Sequence, residues 1–157
     1  MSDANNTESN QPPLVVNAQY VKDLSFEVPG APAIFAEMQG QSPNIPIHVD
    51  INANQLQERT FEVTLHLKVE ARLADNRPVF IVELVYGGIF TINMAPEHVQ
   101  AMLLIECPRM LFPFARNIIA DVTRDGGFPP LMIQPIDFVQ LFRARMEAAQ
   151  NEKAGHA

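Results

Sequence analysis

The chain of 157 residues has no tryptophan, one cysteine and only 11 lysines and arginines. A single cysteine excludes an internal disulfide and is typical of a reducing cytoplasm. The basic residues are scattered, whereas a phosphate-binding surface needs them clustered, so we expect no nucleic-acid partner. No apolar run approaches the roughly 20 residues of a membrane span. The polar, acidic start is unlike a secretory signal. We therefore expect a cytoplasmic protein without direct membrane insertion.

Motifs of catalysis are also missing from the sequence. There is no Gly-x-Ser-x-Gly elbow for a nucleophile. The pairs Gly87-Gly88 and Gly126-Gly127 lack the lysine and hydroxyl of a phosphate loop. The four histidines show no metal-ligand spacing, and Cys107 lies on an apolar helical stripe, as a core residue would. We expect no enzyme, no metal and no cofactor.

What the chain does have is ten phenylalanines, seven methionines and a formal net charge of −7. Phenylalanine and methionine are adaptable apolar side chains, found in cores and on promiscuous binding surfaces. An acidic balance favours solubility, or a basic protein partner that charge steers into contact. Polar ends predict a disordered lead over residues 1–13 and a flexible tail over residues 150–157, with a single domain over residues 14–149 between them.

Period-two alternation predicts four strands in the first two thirds of the chain. Residues 45–52 and 61–70 alternate cleanly between apolar and polar. Residues 18–28 alternate less cleanly, with Ala18, Tyr20, Leu24 and Phe26 of one parity. Residues 79–92 are apolar on both faces, which predicts cover on both, a second subunit being the expected second cover. Gly87-Gly88 within that strand indicates a bulge or a close backbone approach.

After Pro96 the period becomes helical. Leu103, Cys107, Leu111, Phe114, Ile118 and Val122 form one stripe, and Gly126-Gly127 is expected to end the helix. Pro108 and Pro113 lie within it, and we expect them to bend it. An apolar loop over residues 128–135 and a last helix from about Asp137 follow. Strands followed by helices predict an α+β fold with a four-stranded antiparallel sheet.

Four segments, in order along the chain, resemble the bacterial export chaperone family SecB. They are Lys22-Asp23-Leu24-Ser25-Phe26-Glu27-Val28-Pro29, Gly87-Gly88-Ile89-Phe90, the run from Cys107-Pro108 to Ala115-Arg116, and Gly127-Phe128-Pro129 through Pro135 to Leu141-Phe142. The resemblance covers residues 20–142. It implies a cytosolic, ATP-independent holdase that binds unfolded preproteins and delivers them to the motor ATPase SecA, and that assembles as a homotetramer, a dimer of dimers.

The resemblance also implies functions for particular residues. Docking of the motor is implied for Asp23, Glu27, Ile81 and Glu83, and the tetramer interface for Phe80, Val82, Leu84 and Tyr86. The family's client groove lies between the sheet and the loop of residues 128–135. Our candidates to line it are Ile47, Val49, Phe128, Leu131 and Ile133. In the family the C-terminal tail contacts the zinc-bearing end of the motor, but residues 146–156 carry no obvious motif for this contact.

Two other functions remain open from the sequence. The apolar loop of residues 128–135 could be a lid over a pocket, in a small-molecule or lipid-binding α+β module. A chaperone of the same fold could instead serve one dedicated partner, such as an antitoxin. A co-purifying ligand, or a single captured client, would distinguish these from a holdase for export.

Overall fold

The structure is a computed structural model that describes residues 11–155. Most of the predicted lead, and the last two residues of the predicted tail, lie outside the described residues. The elements in chain order are β1 (Leu14–Glu27), α1 (Ala33–Glu37), β2 (Ile47–Gln57), β3 (Thr60–Arg72), β4 (Pro78–Ile92), α2 (Pro96–Ala101), a π-helical turn (Met102–Glu106), α3 (Cys107–Asp125) and α4 (Phe138–Ala154).

The four strands form one antiparallel sheet in the order β1-β4-β3-β2. The predicted α+β class with its four-stranded antiparallel sheet is confirmed. β1 and β2 are the two edge strands, so the chain crosses the sheet between them. Short α1 lies in that crossing and buries Ile34. A two-residue turn, Glu58-Arg59, joins β2 to β3, with Arg59 at a φ of 64°.

The hydrophobic core lies between one face of the sheet, here called the inner face, and the helices. Alternate residues of β3 and β4, such as Leu65, Leu67 and Leu84, are fully buried there. They meet a line on α3 with a spacing of four, which comprises Cys107, Leu111, Ala115 and Ile119. The predicted stripe is therefore confirmed for Leu103, Cys107 and Leu111, which are buried, and for Ile118 and Val122, which are half-buried and pack against the core; it is wrong for Phe114, which is exposed.

Two extra residues in β1 correct the predicted parity of that strand. The pairing of β1 with β4 shifts by one residue at Asn17 and again at Lys22. A β-bulge of this kind moves every following side chain to the opposite face. Tyr20 consequently lies on the outer face, whereas Leu24 and Phe26 lie on the inner face, although all three have the same parity in sequence.

Both glycine pairs mark close approaches, and β4 itself has no bulge at Gly87-Gly88. A Cβ on Gly87 would lie 2.8 Å from the Tyr20 ring, and one on Gly88 would lie 3.0 Å from Leu111 of α3. At the end of α3, a Cβ on Gly126 would lie 2.3 Å from the Phe26 ring, and Gly127 has a φ of 96°. The predicted end of the helix at these glycines is confirmed.

The last helix begins where the sequence predicts it. The Asp137 side chain caps α4 by accepting a hydrogen bond from the Gln140 amide at 3.0 Å. α4 then continues to Ala154, so residues 150–154 of the predicted flexible tail are helical. No helix among residues 11–155 is both long and apolar enough to cross a membrane.

Candidate functional site: an acidic sheet face and two grooves

The four residues implied for motor docking lie together on the outer face of the sheet. In the pairing of β1 with β4, Glu27 lies opposite Ile81, Ser25 opposite Glu83, and Asp23 opposite Val85. Directly opposite residues of an antiparallel pair point to the same face. Asp23 and Glu27 are exposed, and Ile81 and Glu83 are half-buried. The geometry therefore places Glu27 and Glu83 next to Ile81, and Asp23 next to Val85 further along the same face.

The neighbouring strand β3 adds basic and titratable groups to this outer face. His66 lies beside Glu83, with its Nε2 atom 2.7 Å from the carboxylate. Lys68 and Arg72 instead pair with Glu70, at 3.3 Å and 3.0 Å. His66 thus faces away from the core, and the sequence pattern gave no sign of its contact with Glu83. Asp23 and Glu27 remain the exposed negative charges at the β1 edge.

A further acidic group on this face, Glu62 of β3, was missed by the sequence reasoning. Lys22 donates to its carboxylate at 2.8 Å, and the Tyr20 hydroxyl donates to the other oxygen. The hydrogen bond from Lys22, followed by that from Tyr20, lowers the pKa of Glu62 below its ordinary value. Burial, followed by the bond to Glu62, raises the pKa of Tyr20 to about 12. This cluster lies next to Asp23 along β1.

On the inner side, the loop of residues 128–135 is fastened to α3 by one buried hydroxyl. Thr123 donates to the Ile119 carbonyl at 2.8 Å and accepts a hydrogen bond from the Leu131 amide at 2.9 Å. The Phe128 ring packs between Phe35 and Phe80, with ring centroids 5.2 Å and 5.1 Å away. The loop is thus held in a defined position, although its sequence has no regular period.

Beside this loop lies an apolar groove of about 350 Å³, here called the loop groove. Phe128 and Leu131, two of the candidates for the client groove, line it together with Phe80. The other lining residues are Met38, Gln41, Ser42, Pro43, Ile45, Pro129 and Pro130. Apolar walls with few polar groups suit generic apolar side chains.

A second groove of about 460 Å³, here called the edge groove, runs between edge strand β2 and α4. Val49 lines it, and Leu104, Leu141 and Phe142 give it an apolar wall. Arg145 reaches across from α4 and donates to the Ile51 carbonyl at 2.9 Å. The remaining lining residues are Asp50, Ile51 and Asn52.

The five predicted groove residues therefore do not surround one cavity. Phe128 and Leu131 line the loop groove and Val49 lines the edge groove. Ile47 lines neither of these two grooves and is half-buried against the core. Ile133 is buried and lines neither of these two grooves, so its place in a client groove stays a prediction. The loop of residues 128–135 is apolar throughout, so its sequence does not show which of its side chains are buried.

The residues implied for the tetramer interface lie in the core of their own chain. Phe80, Val82, Leu84 and Tyr86 all face inward and are buried beneath the helices of their own chain. Val82 and Leu84 are wholly buried, so they have no surface with which to contact another copy directly. The opposite face of β4, with Ile81 and Val85, is only half-covered.

An exposed apolar patch lies at the margin of this inner face. Tyr86 stacks on Phe114 of α3, with ring centroids 6.3 Å apart. In the pairing of β1 with β4, Val21 lies opposite Tyr86. Met110 lies one turn before Phe114, and Leu24 lies opposite Leu84. We call this the α3/β1 patch, and its exposed members are Val21, Leu24, Met110 and Phe114. Sequence reasoning placed Phe114 in the core and so missed it.

Among residues 11–155, no three histidine, cysteine or acidic side chains are grouped in a way that could hold a metal ion. Cys107 is fully buried, and burial raises the pKa of its thiol to about 12. The described part of the chain therefore offers surfaces for binding: an acidic sheet face, two grooves and an exposed apolar patch.

Comparisons with known proteins agree on one family. The family model described as "Preprotein translocase subunit SecB" matches residues 7–149. A protein-export protein SecB of Paramagnetospirillum magneticum is 57% identical over 157 residues, covering 100% of both chains. The protein of the same name from Rhodospirillum rubrum is 54% identical over 155 residues, covering 98% of this chain and 96% of its own.

A solved structure gives the same fold. A SecB-like chaperone of Mycobacterium tuberculosis, in complex with a peptide from an antitoxin, superimposes with a TM-score of 0.67. The match covers 79% of this chain and 91% of that one, at 14% sequence identity. At that identity the likeness concerns the fold.

Proposed function

The chain belongs to the SecB family of protein-export chaperones, and we propose that it is an ATP-independent holdase of the cytoplasm that keeps preproteins unfolded and delivers them to the motor ATPase SecA. The observation that carries the proposal is the arrangement of the outer face. Asp23 and Glu27 of β1 lie opposite Val85 and Ile81 of β4, and Glu83 lies between these two apolar residues on the same face. Holding an unfolded chain needs surface and no reaction, so the proposal includes no catalytic step.

Motor docking at the outer face is supported by its charge. Carboxylates around a half-buried apolar residue complement a basic partner that has an apolar centre. Charges at the rim speed the encounter, and the apolar contact adds affinity. In this proposal Asp23 and Glu27 provide the exposed charge, and Ile81 with Glu83 provides the contact on β4.

Client binding is assigned to the loop groove and the edge groove. Unfolded preproteins differ in sequence, so a binding surface has to accept apolar and aromatic side chains in general. Phe128 and Leu131 in one groove, and Val49 with Phe142 in the other, are of this kind. A long client that occupies both grooves, and those of further copies, would gain avidity from individually weak contacts.

Assembly into a dimer of dimers is assigned to the α3/β1 patch. Large exposed apolar groups that lie together mark interaction surfaces, and Phe114 is 52% exposed while Val21 is 46% exposed. Phe80, Val82, Leu84 and Tyr86 would then influence the assembly from beneath, by supporting α3. In this proposal the four residues stay tied to the tetramer interface, as the resemblance implies, through their support of α3.

The holdase activity is tested by refolding. An unfolded preprotein is diluted into buffer without ATP, with and without stoichiometric chaperone, and its recovery of structure is followed by fluorescence. We expect refolding to slow strongly. Unchanged refolding would exclude a holdase, and a co-purifying ligand in native mass spectrometry would then favour a small-molecule or lipid-binding module. Capture of many preproteins, as opposed to one, separates a general holdase from a partner-dedicated chaperone.

The docking surface is tested by charge reversal. Asp23, Glu27 and Glu83 are changed together to lysine, and binding to purified SecA and to an unfolded client is measured. We expect motor binding to be lost and client binding to be retained. The matched control reverses Glu58, Glu97 and Glu147, which changes the net charge equally away from the outer face. Loss of motor binding in both variants would mean that only net charge matters.

A further inference from the structure

The direction in which Asp23 points depends on one extra residue in β1. Before the bulge at Lys22, even-numbered residues such as Ala18 and Tyr20 face outward; after it, odd-numbered residues such as Asp23 and Glu27 do. If the extra residue were absorbed further along the strand, for example at Leu24, Asp23 would turn to the inner face while Glu27 stayed outside. The position of the bulge thus determines whether the docking face keeps its first carboxylate.

Contacts of the bulge converge on Glu62. Lys22, the extra residue, places its ammonium 2.8 Å from Glu62 Oε1. Tyr20 donates to Oε2 of the same carboxylate. Glu62 belongs to β3, so both side chains of β1 reach it across the intervening strand β4. They can do so because β4 has Gly87 at the crossing point, where a Cβ would lie 2.8 Å from the Tyr20 ring.

We propose that Glu62 is a positioning residue for motor docking: its carboxylate fixes the bulge at Lys22 and thereby keeps Asp23 on the outer face. This rests on the proposed function of the outer face. Leu24 and Phe26, which follow the bulge along β1, also favour a bulge at Lys22, because this register turns both side chains to the inner face. In this proposal Glu62 holds the bulge at the position that also exposes Asp23.

The geometry is supported by the state of the carboxylate. The side-chain hydrogen bond from Lys22, followed by that from Tyr20, holds the pKa of Glu62 below its ordinary value. Glu62 is therefore ionised at neutral pH and accepts from both partners at once. Its side chain is only 15% exposed, so screening by solvent is reduced compared with a surface pair.

The first experiment measures affinity for purified SecA in Glu62→Gln and Tyr20→Phe. Both variants loosen the bulge, and Tyr20→Phe does so without a change in charge. We expect motor affinity to fall about fivefold in each, the value of one partly exposed ion pair or hydrogen bond, with client binding unchanged. Lys22→Arg keeps the ion pair and should bind as wild type does. Wild-type affinity in Tyr20→Phe and Glu62→Gln would overturn the proposal.

The matched control is the second bulge of the same strand. Asn17 is also an extra residue, and its amide donates to the Thr91 hydroxyl at 2.8 Å. A change at Asn17 affects the register of residues before it and leaves Asp23 in place. Asn17→Ala should therefore bind the motor as wild type does. An equal loss in Asn17→Ala would mean that general weakening of β1, and not Glu62, is responsible.

A second readout is independent of the motor. Cys107 is buried, so a cysteine placed at position 23 is a single reactive thiol. We expect Asp23→Cys to react more slowly with a thiol reagent when Glu62→Gln is added, and Glu27→Cys to be unaffected. If the rate at position 23 does not change, Glu62 does not fix the bulge. If wild-type protein fails to bind SecA while this rate does change, the proposed function fails and the positioning by Glu62 stands.

Discussion

At the scale of single residues, burial decides which side chains can react. The Cys107 thiol is fully buried at the start of α3, and burial, with a smaller effect of Glu106, raises its pKa to about 12. A thiol that stays protonated is a poor nucleophile. The prediction from the helical stripe that Cys107 is a core residue is confirmed.

Burial of Cys107 makes stability depend on pH in the alkaline range. The unfolded thiol has a pKa of about 9.0 and the folded thiol one of about 12. Because the folded pKa is the higher one, stability is unaffected below pH 9 and is lost as the pH rises from 9 towards 12. Between pH 8 and pH 10 we expect the wild type to lose about 1 kcal/mol more than Cys107→Ala does. Urea unfolding of both proteins at both pH values measures this.

Comparing the loss of stability in the wild type with that in Cys107→Ala removes the contribution of other titrating groups. Tyr20 and Tyr86 also have raised pKa values and titrate in the same range, but equally in both proteins. The cost of the substitution itself is the same at both pH values. Parallel loss of stability in the two proteins would show that the thiol is not held protonated.

Some residues of the site follow from local sequence and others do not. Asp23 and Glu27 are four apart on a strand, which is enough to place them on one face, and the pairing with β4 confirms this. Glu62 could not be found in the same way. Its partners Tyr20 and Lys22 are 42 and 40 residues away in sequence, and they meet only after β1 and β3 lie on either side of β4.

At the scale of elements, the irregular parts were the ones that sequence patterns could not place. The alternation of β2 and β3 predicts both strands because one period holds throughout. The bulges of β1 break the period, so a single parity assignment fails after Lys22. The helix after Pro96 was expected as one piece, whereas five residues, Met102–Glu106, form a π-helical turn directly before Pro108. A wider turn there accommodates a residue without an amide hydrogen.

Pro113 gives a prediction for α3. It lies inside the helix on the exposed side, where it removes a hydrogen bond to the Arg109 carbonyl. Pro113→Ala should therefore raise the free energy of unfolding by about 2 kcal/mol, measured by urea denaturation. If Pro113 also shapes the α3/β1 patch, the subunits of Pro113→Ala should associate less tightly than those of the wild type.

Pro108 is the contrasting case for this prediction. It is buried, and it follows the π-helical turn. Pro108→Ala loses packing in the core, so we expect no gain in stability. A more stable Pro113→Ala that assembles and binds clients as wild type does would show that Pro113 has no effect on shape. The expected bend of the helix stays a prediction that this variant tests.

At the scale of the whole molecule, the sequence predicts the layers but not which surfaces remain open. Four strands followed by helices leave one face of the sheet for the helices and one outside. β4 is apolar on both faces, so its pattern cannot say which face the helices cover. The resemblance implies the tetramer interface for Phe80, Val82, Leu84 and Tyr86, and in their own chain these residues lie beneath α3 and the loop of residues 128–135.

The assembly follows from the α3/β1 patch and yields the last prediction. Phe114 is stacked on Tyr86 at one side and exposed over half its surface at the other, so a second copy could cover it with little rearrangement. A charge at this position would have to be buried without a partner in the assembly, which costs several kcal/mol. Phe114→Lys should therefore dissociate the tetramer, as seen by native mass spectrometry, with an unchanged circular dichroism spectrum. Leu56→Lys is the matched control, because Leu56 is 51% exposed near the β2–β3 turn and lies away from the patch. A tetramer that survives Phe114→Lys, or that is lost equally in Leu56→Lys, would place the interface elsewhere.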